Sequence, residues 1–290
     1  MNLREPCLPA GWYPREKGKV EEFLKPFAKN LGSNSSPGSN SADELASAVI
    51  APHAGWYYSG SLAALAVSSL DPDAQTVVVI GGHLPRNMPI LMAEEDGAKT
   101  PLGNMTIDKE LQREFENQLF ENQISFQSDR YNDNTVEVLL PMVHYFFPNA
   151  KLLWLRFPSE LSSFDSGKLL SKAAVALRRH IVVVASADLT HYGDNYGFAP
   201  KGRGKAAMDW VKNVNDATLI EAVLAGDHAA VLKCAEEDRS SCSAGAILGA
   251  LGFSAGAGKQ AKLLGYNTSA DVNGEEAPAS LVGYAAISLG

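Results

Sequence analysis

Five residues of this chain have the types and settings to do chemistry together: His53, His83, Asp188, His191 and Cys242. His53 follows the run SAVIA by two residues, His83 stands just beyond QTVVVI, and Asp188 and His191 follow IVVVASA. Apolar, β-branched runs of this kind read as strands buried on both faces. In an open α/β sheet ligands bind beyond the carboxyl ends of the strands. Three strands would therefore bring these four residues to one edge. Cys242, in RSSCSAGAILGAL, stands at the expected start of a helix, where the dipole favours the thiolate. Two imidazoles and one thiolate suit iron, copper or zinc, and the soft sulfur disfavours magnesium and calcium.

Plainer readings stand beside these. A single histidine after a strand commonly bonds within its own loop. Asp188 and His191 also fit the cap of a following helix or turn. Cys242 also fits a small buried apolar residue. His144, His180 and His228 read as structural, and Cys7 and Cys234 as inert. GGHLPRN contains neither G-x-G-x-x-G nor a P-loop lysine, so no nucleotide cofactor is expected.

The elements that must position these residues alternate. Helices are predicted over residues 17–30, 60–70, 108–122, 166–179, 205–226, 229–237 and 243–251. Strands are predicted over 47–51, 75–80, 151–157 and 181–187, and the runs 262–268 and 281–289 read as a strand pair around a polar loop. The pattern implies an α/β fold with a central, mostly parallel or mixed sheet flanked by helices. Residues 31–43, LGSNSSPGSNSAD, read as a flexible surface loop. The 30 residues before it are too few for a core of their own, so a single domain over 1–290 is expected.

Composition excludes several classes. With 46% hydrophobic and 20% charged residues the chain has ample material for a core and is not a disordered polymer. A net charge of −8 argues against a nucleic-acid partner, which usually meets a basic face. No run approaches the roughly 20 apolar residues of a membrane span, and MNLREPCLPAGWYPREKGK has no apolar signal core. Three sparse cysteines make no disulfide framework, so a cytoplasmic location is expected.

The blocks REPCLPAGWYP, APHAGWYYSGSLAALA, TPLGNMTID, VEVLLPMVHYFFP, SADLTHYG and LLGYNTSADVNG…LVGYAAI, in this order along nearly the whole chain, resemble the Memo family. HAGWYYSG and SADLTHYG are the most specific. The resemblance implies a single-domain α/β fold like that of class III extradiol dioxygenases, with a metal site at the strand ends. It implies His53, His83 and Cys242 as metal ligands, Asp188 and His191 as the acidic residue and histidine of the same pocket, and Tyr58 as a pocket tyrosine. Three departures stand out. Gly82 directly precedes His83, where the family spaces them. Asp133-Asn134-Thr135 replaces Glu-His-Ser before the VEVLLP strand, and Ser243 follows Cys242 in place of glycine.

Three functions follow as expectations. One is a metal-dependent oxidoreductase related to the dioxygenases, with Asp188 and His191 doing acid–base work on a small aromatic ligand. The second is a metal- or peptide-binding module without turnover. The third is an accessory to a radical-SAM protein. The chain has no C-x₃-C-x₂-C cluster motif and would not itself generate the radical.

Overall fold

Four apolar runs of the sequence form the middle of a nine-stranded mixed sheet. The computed structural model describes residues 1–30, 45–258 and 260–290. The Ser/Asn-rich stretch 31–43 lies outside them. Along the chain come β1 (Leu3–Arg4), α1 (Lys17–Leu24), β2 (Ala48–Ala51), α2 (Trp56–Val67) and β3 (Thr76–Leu84). Then follow β4 (Ile90–Met92), β5 (Gly97–Thr100), β6 (Gly103–Thr106), α3 (Lys109–Glu121) and β7 (Phe126–Ser128). The middle contains α4 (Asn134–Glu137), α5 (Leu140–Phe146), β8 (Lys151–Pro158), α6 (Ser162–Ala176), β9 (Ile181–Ser186) and β10 (His191–Gly193). Last come α7 (Lys205–Trp210), α8 (Asp216–Leu224), α9 (His228–Glu237), α10 (Ala244–Ser254), β11 (Lys262–Thr268), α11 (Ser269–Asn273) and β12 (Ser280–Leu289).

The sheet runs β10-β12-β2-β9-β3-β8-β4-β7, with β11 paired to β12. Its centre, β2-β9-β3-β8, is parallel, and the flanking pairs β12–β2 and β4–β8 are antiparallel. Successive side chains of a strand point to opposite faces. Val78 and Ile80 accordingly pack with Leu170 of α6 and Ile247 of α10, while Val77 and Val79 pack with Val67 of α2 and Val143 of α5. Helices cover both faces, which is why these strands are apolar throughout. On one face α6 and α10 pack closely: a Cβ on Gly252 would lie 1.9 Å from the Phe164 carbonyl oxygen.

The α/β architecture with a mixed sheet agrees with the sequence reading. β9 lies between β2 and β3, so those two strands are consecutive in sequence but not neighbours in the sheet. Several boundaries also differ. The first helix is α-helical only to Leu24 and continues as a 3₁₀ segment, Lys25–Asn30. Pro26 brings no amide proton to the α-helical ladder. α2 begins one turn earlier than predicted, at Trp56, which places Tyr57 and Tyr58 on its first turn. The VEVLLP segment is not a strand but the end of α4 and the start of α5. Asp133 caps α4 by accepting from Thr135 N, and Pro141 sits in the first turn of α5. The predicted 205–226 helix contains a π-helical turn, Val211–Asn215. β11 and β12 form the predicted antiparallel pair. Among the described residues no helix is long and apolar enough to cross a membrane.

Candidate metal centre

The parallel centre of the sheet places the ends of β2, β9 and β3 side by side. The loops beyond β2 and β9 carry His53 and Asp188, and His83 stands in the irregular last turn of β3 itself, which runs four residues further than the sequence suggested. Cys242 arrives from the opposite direction, two residues before α10. One ligand atom from each of His53, His83 and Cys242 lies within 4.8 Å of the other two. The Cys242 sulfur is 3.3 Å from His53 Nε2. A tetrahedral ion at about 2.3 Å from sulfur and about 2.0 Å from nitrogen would hold such a pair roughly 3.5 Å apart. The donor set and its spacing therefore fit a metal ion.

The hydrogen bonds behind the imidazoles select the donor nitrogens. Ser186 Oγ donates its single proton to the Thr135 carbonyl. Its 2.9 Å bond to His53 Nδ1 must then be accepted from the ring. His53 thus carries its proton on Nδ1 and turns Nε2 toward Cys242. On His83, Nδ1 donates to Asp133 Oδ2 at 3.0 Å, which leaves Nε2 for the same centre. Partners of this kind fix the tautomer and orientation of metal-binding histidines.

The His83 loop is built under constraint. His83 has φ +58°, an uncommon conformation for a residue with a side chain and one that collects at functional sites. Gly82 passes so close to Ser243 that a Cβ there would lie 2.2 Å from Ser243 Oγ. Arg156, a buried charge within the otherwise apolar stretch of β8, donates from Nε to Gly82 O at 3.1 Å. It also pairs with Asp133 Oδ2 at 3.3 Å and Asp129 Oδ1 at 3.4 Å. One guanidinium therefore ties the histidine loop to the carboxylate that orients the histidine.

Charge follows this geometry. Burial would raise the Cys242 thiol, but the imidazoles of His53 and His83 hold it well below its usual range, so the sulfur is a thiolate. Without a metal, burial would lower His83, yet its bonds to Asp133 and Cys242 raise it to about 10. Burial also opposes ionisation of Asp133, but His83, Thr135 and Arg156 hold it well below the carboxylate range. The thiolate arises from these imidazoles; the helix N-terminus inferred from the sequence is not needed to explain it.

Asp188 is buried and accepts from His53 N at 2.7 Å through Oδ1, while Oδ2 lies 3.9 Å from His53 Nε2. Burial pushes its carboxyl up, against the pull of His53. It caps no helix, and neither does His191, which opens β10 and stacks edge-on against Tyr196 at 4.9 Å. Both line a cleft of about 960 Å³ that also borders His53, His83, Tyr58 and Trp12. Cys242 lines a smaller pocket with Arg239, and His83, His191 and Tyr196 border both this pocket and the larger cleft. Of the other two cysteines, Cys7 is exposed and Cys234 buried.

The sequence reading named His53, His83 and Cys242, which the structure brings together, and Asp188 and His191 beside them, but missed Ser186, Arg156 and the pairing of Asp133 with His83. Ser186 and Arg156 each break an apolar strand, and a polar residue in a run buried on both faces needs a partner. It also missed Glu137, a buried carboxylate that fixes the N-terminal wall of the cleft. Glu137 accepts from Cys7 N at 2.8 Å, Leu8 N at 3.1 Å and Tyr13 Oη at 2.8 Å.

The chain is similar over nearly its whole length to known proteins. A MEMO1 family protein of Pyrococcus abyssi is 29% identical over 297 residues, covering 98% of both chains. One from Nitrosopumilus maritimus is 30% identical over 298 residues, with 98% of each chain covered. One from Methanosarcina mazei is 28% identical over 293 residues and 99% of each. The sequence profile described as Memo-like protein matches residues 4–288, so this chain belongs to the Memo family.

Proposed function

We propose that the chain binds one redox-active or Lewis-acidic metal ion, iron, copper or zinc, through His53 Nε2, His83 Nε2 and Cys242 Sγ. The observation that carries this reading is the convergence of three donor atoms whose two imidazoles are both fixed from behind, by Ser186 and Asp133. Bound there, the ion would polarise or exchange electrons with a ligand in the adjoining cleft. The chain's own groups do the rest. Asp188 holds the His53 loop through its amide, and its second oxygen faces the centre. His191, on the cleft wall, takes and returns a proton of the bound ligand, and Tyr58 bounds the ligand's position. This is the chemistry of a metal-dependent oxidoreductase related to class III extradiol dioxygenases.

Oxygen uptake by the iron(II)-loaded protein, with catechols and aminophenols under air, tests the reading. His191→Ala should keep the metal and lose turnover, and Asp188→Asn should lose less. No uptake above that of His53→Ala with any of these compounds would reject the enzyme and favour a module that binds a metal or a partner without turnover. Co-purification with a radical-SAM protein would point instead to the accessory role.

A further inference from the structure

The cleft beside the His53–His83–Cys242 group is bordered by three imidazoles, His53, His83 and His191, and otherwise by aromatic, acidic and neutral side chains. Its described lining includes five aromatic side chains, Tyr57, Tyr58 and Tyr196 among them. It includes the carboxylates Asp188, Asp194 and Glu275, and among the described residues no lysine or arginine. Tyr57 is 69% exposed on the first turn of α2, and its ring contact is with Tyr58, edge-on at 4.9 Å. A tyrosine so exposed contributes little to a core. Among the described residues no cation of the chain stacks on Tyr57, Tyr58 or Tyr196.

The carboxylates differ in what neutralises them. Asp188 is engaged by His53, and Asp194 pairs with Arg203 at 2.5 Å. Glu275 accepts from Asn273 Nδ2 at 2.9 Å and makes no ion pair among the described residues. Aromatic faces attract cations through the ring quadrupole, and an uncompensated carboxylate adds to the attraction. An aromatic face and a free carboxylate disfavour carboxylates and phosphates, against the pull of the imidazoles and of a bound metal ion.

We infer that the cleft selects a small organic cation, a molecule carrying a protonated amine that the tyrosine faces and Glu275 receive. The inference rests on the cleft being the ligand site of the proposed function, and it names that ligand's charge class.

Three isosteres that differ in charge test it: tyramine, the neutral 4-hydroxyphenylethanol and the anionic 4-hydroxyphenylacetate. Each is titrated calorimetrically into the metal-loaded protein. Tyramine should bind at least roughly tenfold more tightly than 4-hydroxyphenylacetate, with the alcohol between them. Added salt and Glu275→Gln should each shrink that ratio, and Tyr57→Ala should weaken tyramine most. Equal or tighter binding of the anion, a ratio indifferent to Glu275→Gln, or no binding of any of the three at millimolar concentration would overturn the inference. Metal content measured on the same preparations separates the two readings. A cation preference in protein that holds no metal leaves this inference standing and rejects the metal reading. A full metal complement without the preference does the reverse.

Discussion

Ser186 accepts a hydrogen bond from His53 Nδ1 at 2.9 Å because its own proton is already committed to the Thr135 carbonyl. A serine at the end of β9 thereby sets the tautomer of a histidine beyond the neighbouring strand β2. Ser186→Ala should leave the fold intact by circular dichroism, since it removes one buried hydroxyl. Outer partners of metal-binding histidines typically govern affinity by about 10- to 100-fold. Metal affinity from competition with a chelating dye should fall within that range. Affinity equal to wild type would show that Ser186 is only a packing residue.

The three thiols should separate by reactivity. The imidazoles of His53 and His83 keep Cys242 ionised, whereas burial and Glu137 push Cys7 up to about 11, and burial raises Cys234. The thiolate is the reactive form. In metal-free protein at neutral pH, iodoacetamide should label Cys242 first by peptide mass mapping, and metal should protect it. Equal labelling of all three thiols, with or without metal, would contradict the assignment.

Much of this centre was legible in the sequence, for a physical reason. Ligand-bearing loops follow strands that must be buried on both faces, and such strands announce themselves as continuous apolar runs. His53, His83 and Asp188 could be placed at one edge from that pattern alone. The order of the strands could not, because β9 enters between β2 and β3 from more than 90 residues away in the chain. Asp133 was invisible as a partner of His83 for the same reason, since 50 residues separate them. The VEVLLP segment misled because its apolar run carries no period, and the cap at Asp133 decides for helix.

Asp216 gives a pH dependence of known sign. It is fully buried and accepts from Thr190 N at 3.0 Å and Tyr266 Oη at 2.7 Å. Burial nevertheless pushes its carboxyl up to about 6. In the unfolded chain an aspartate titrates near 3.9. Between those values the folded state holds more protons, so stability from this group is full below about pH 4 and is lost as pH rises through 6. The loss is of the order of 1–3 kcal/mol. Urea unfolding between pH 4 and 7 should show Asp216→Asn losing less stability than wild type over that rise. Parallel profiles would mean that Asp216 is ionised throughout.

The central claim is that His53, His83 and Cys242 together hold one metal ion, and elemental analysis of anaerobically purified protein tests it most directly. Wild type reconstituted with iron(II), copper or zinc and then desalted should retain about one ion per chain. His53→Ala, His83→Ala and Cys242→Ser should each lose most of it while circular dichroism and the unfolding transition show the same fold. Metal content equal to wild type in all three folded variants would contradict the account.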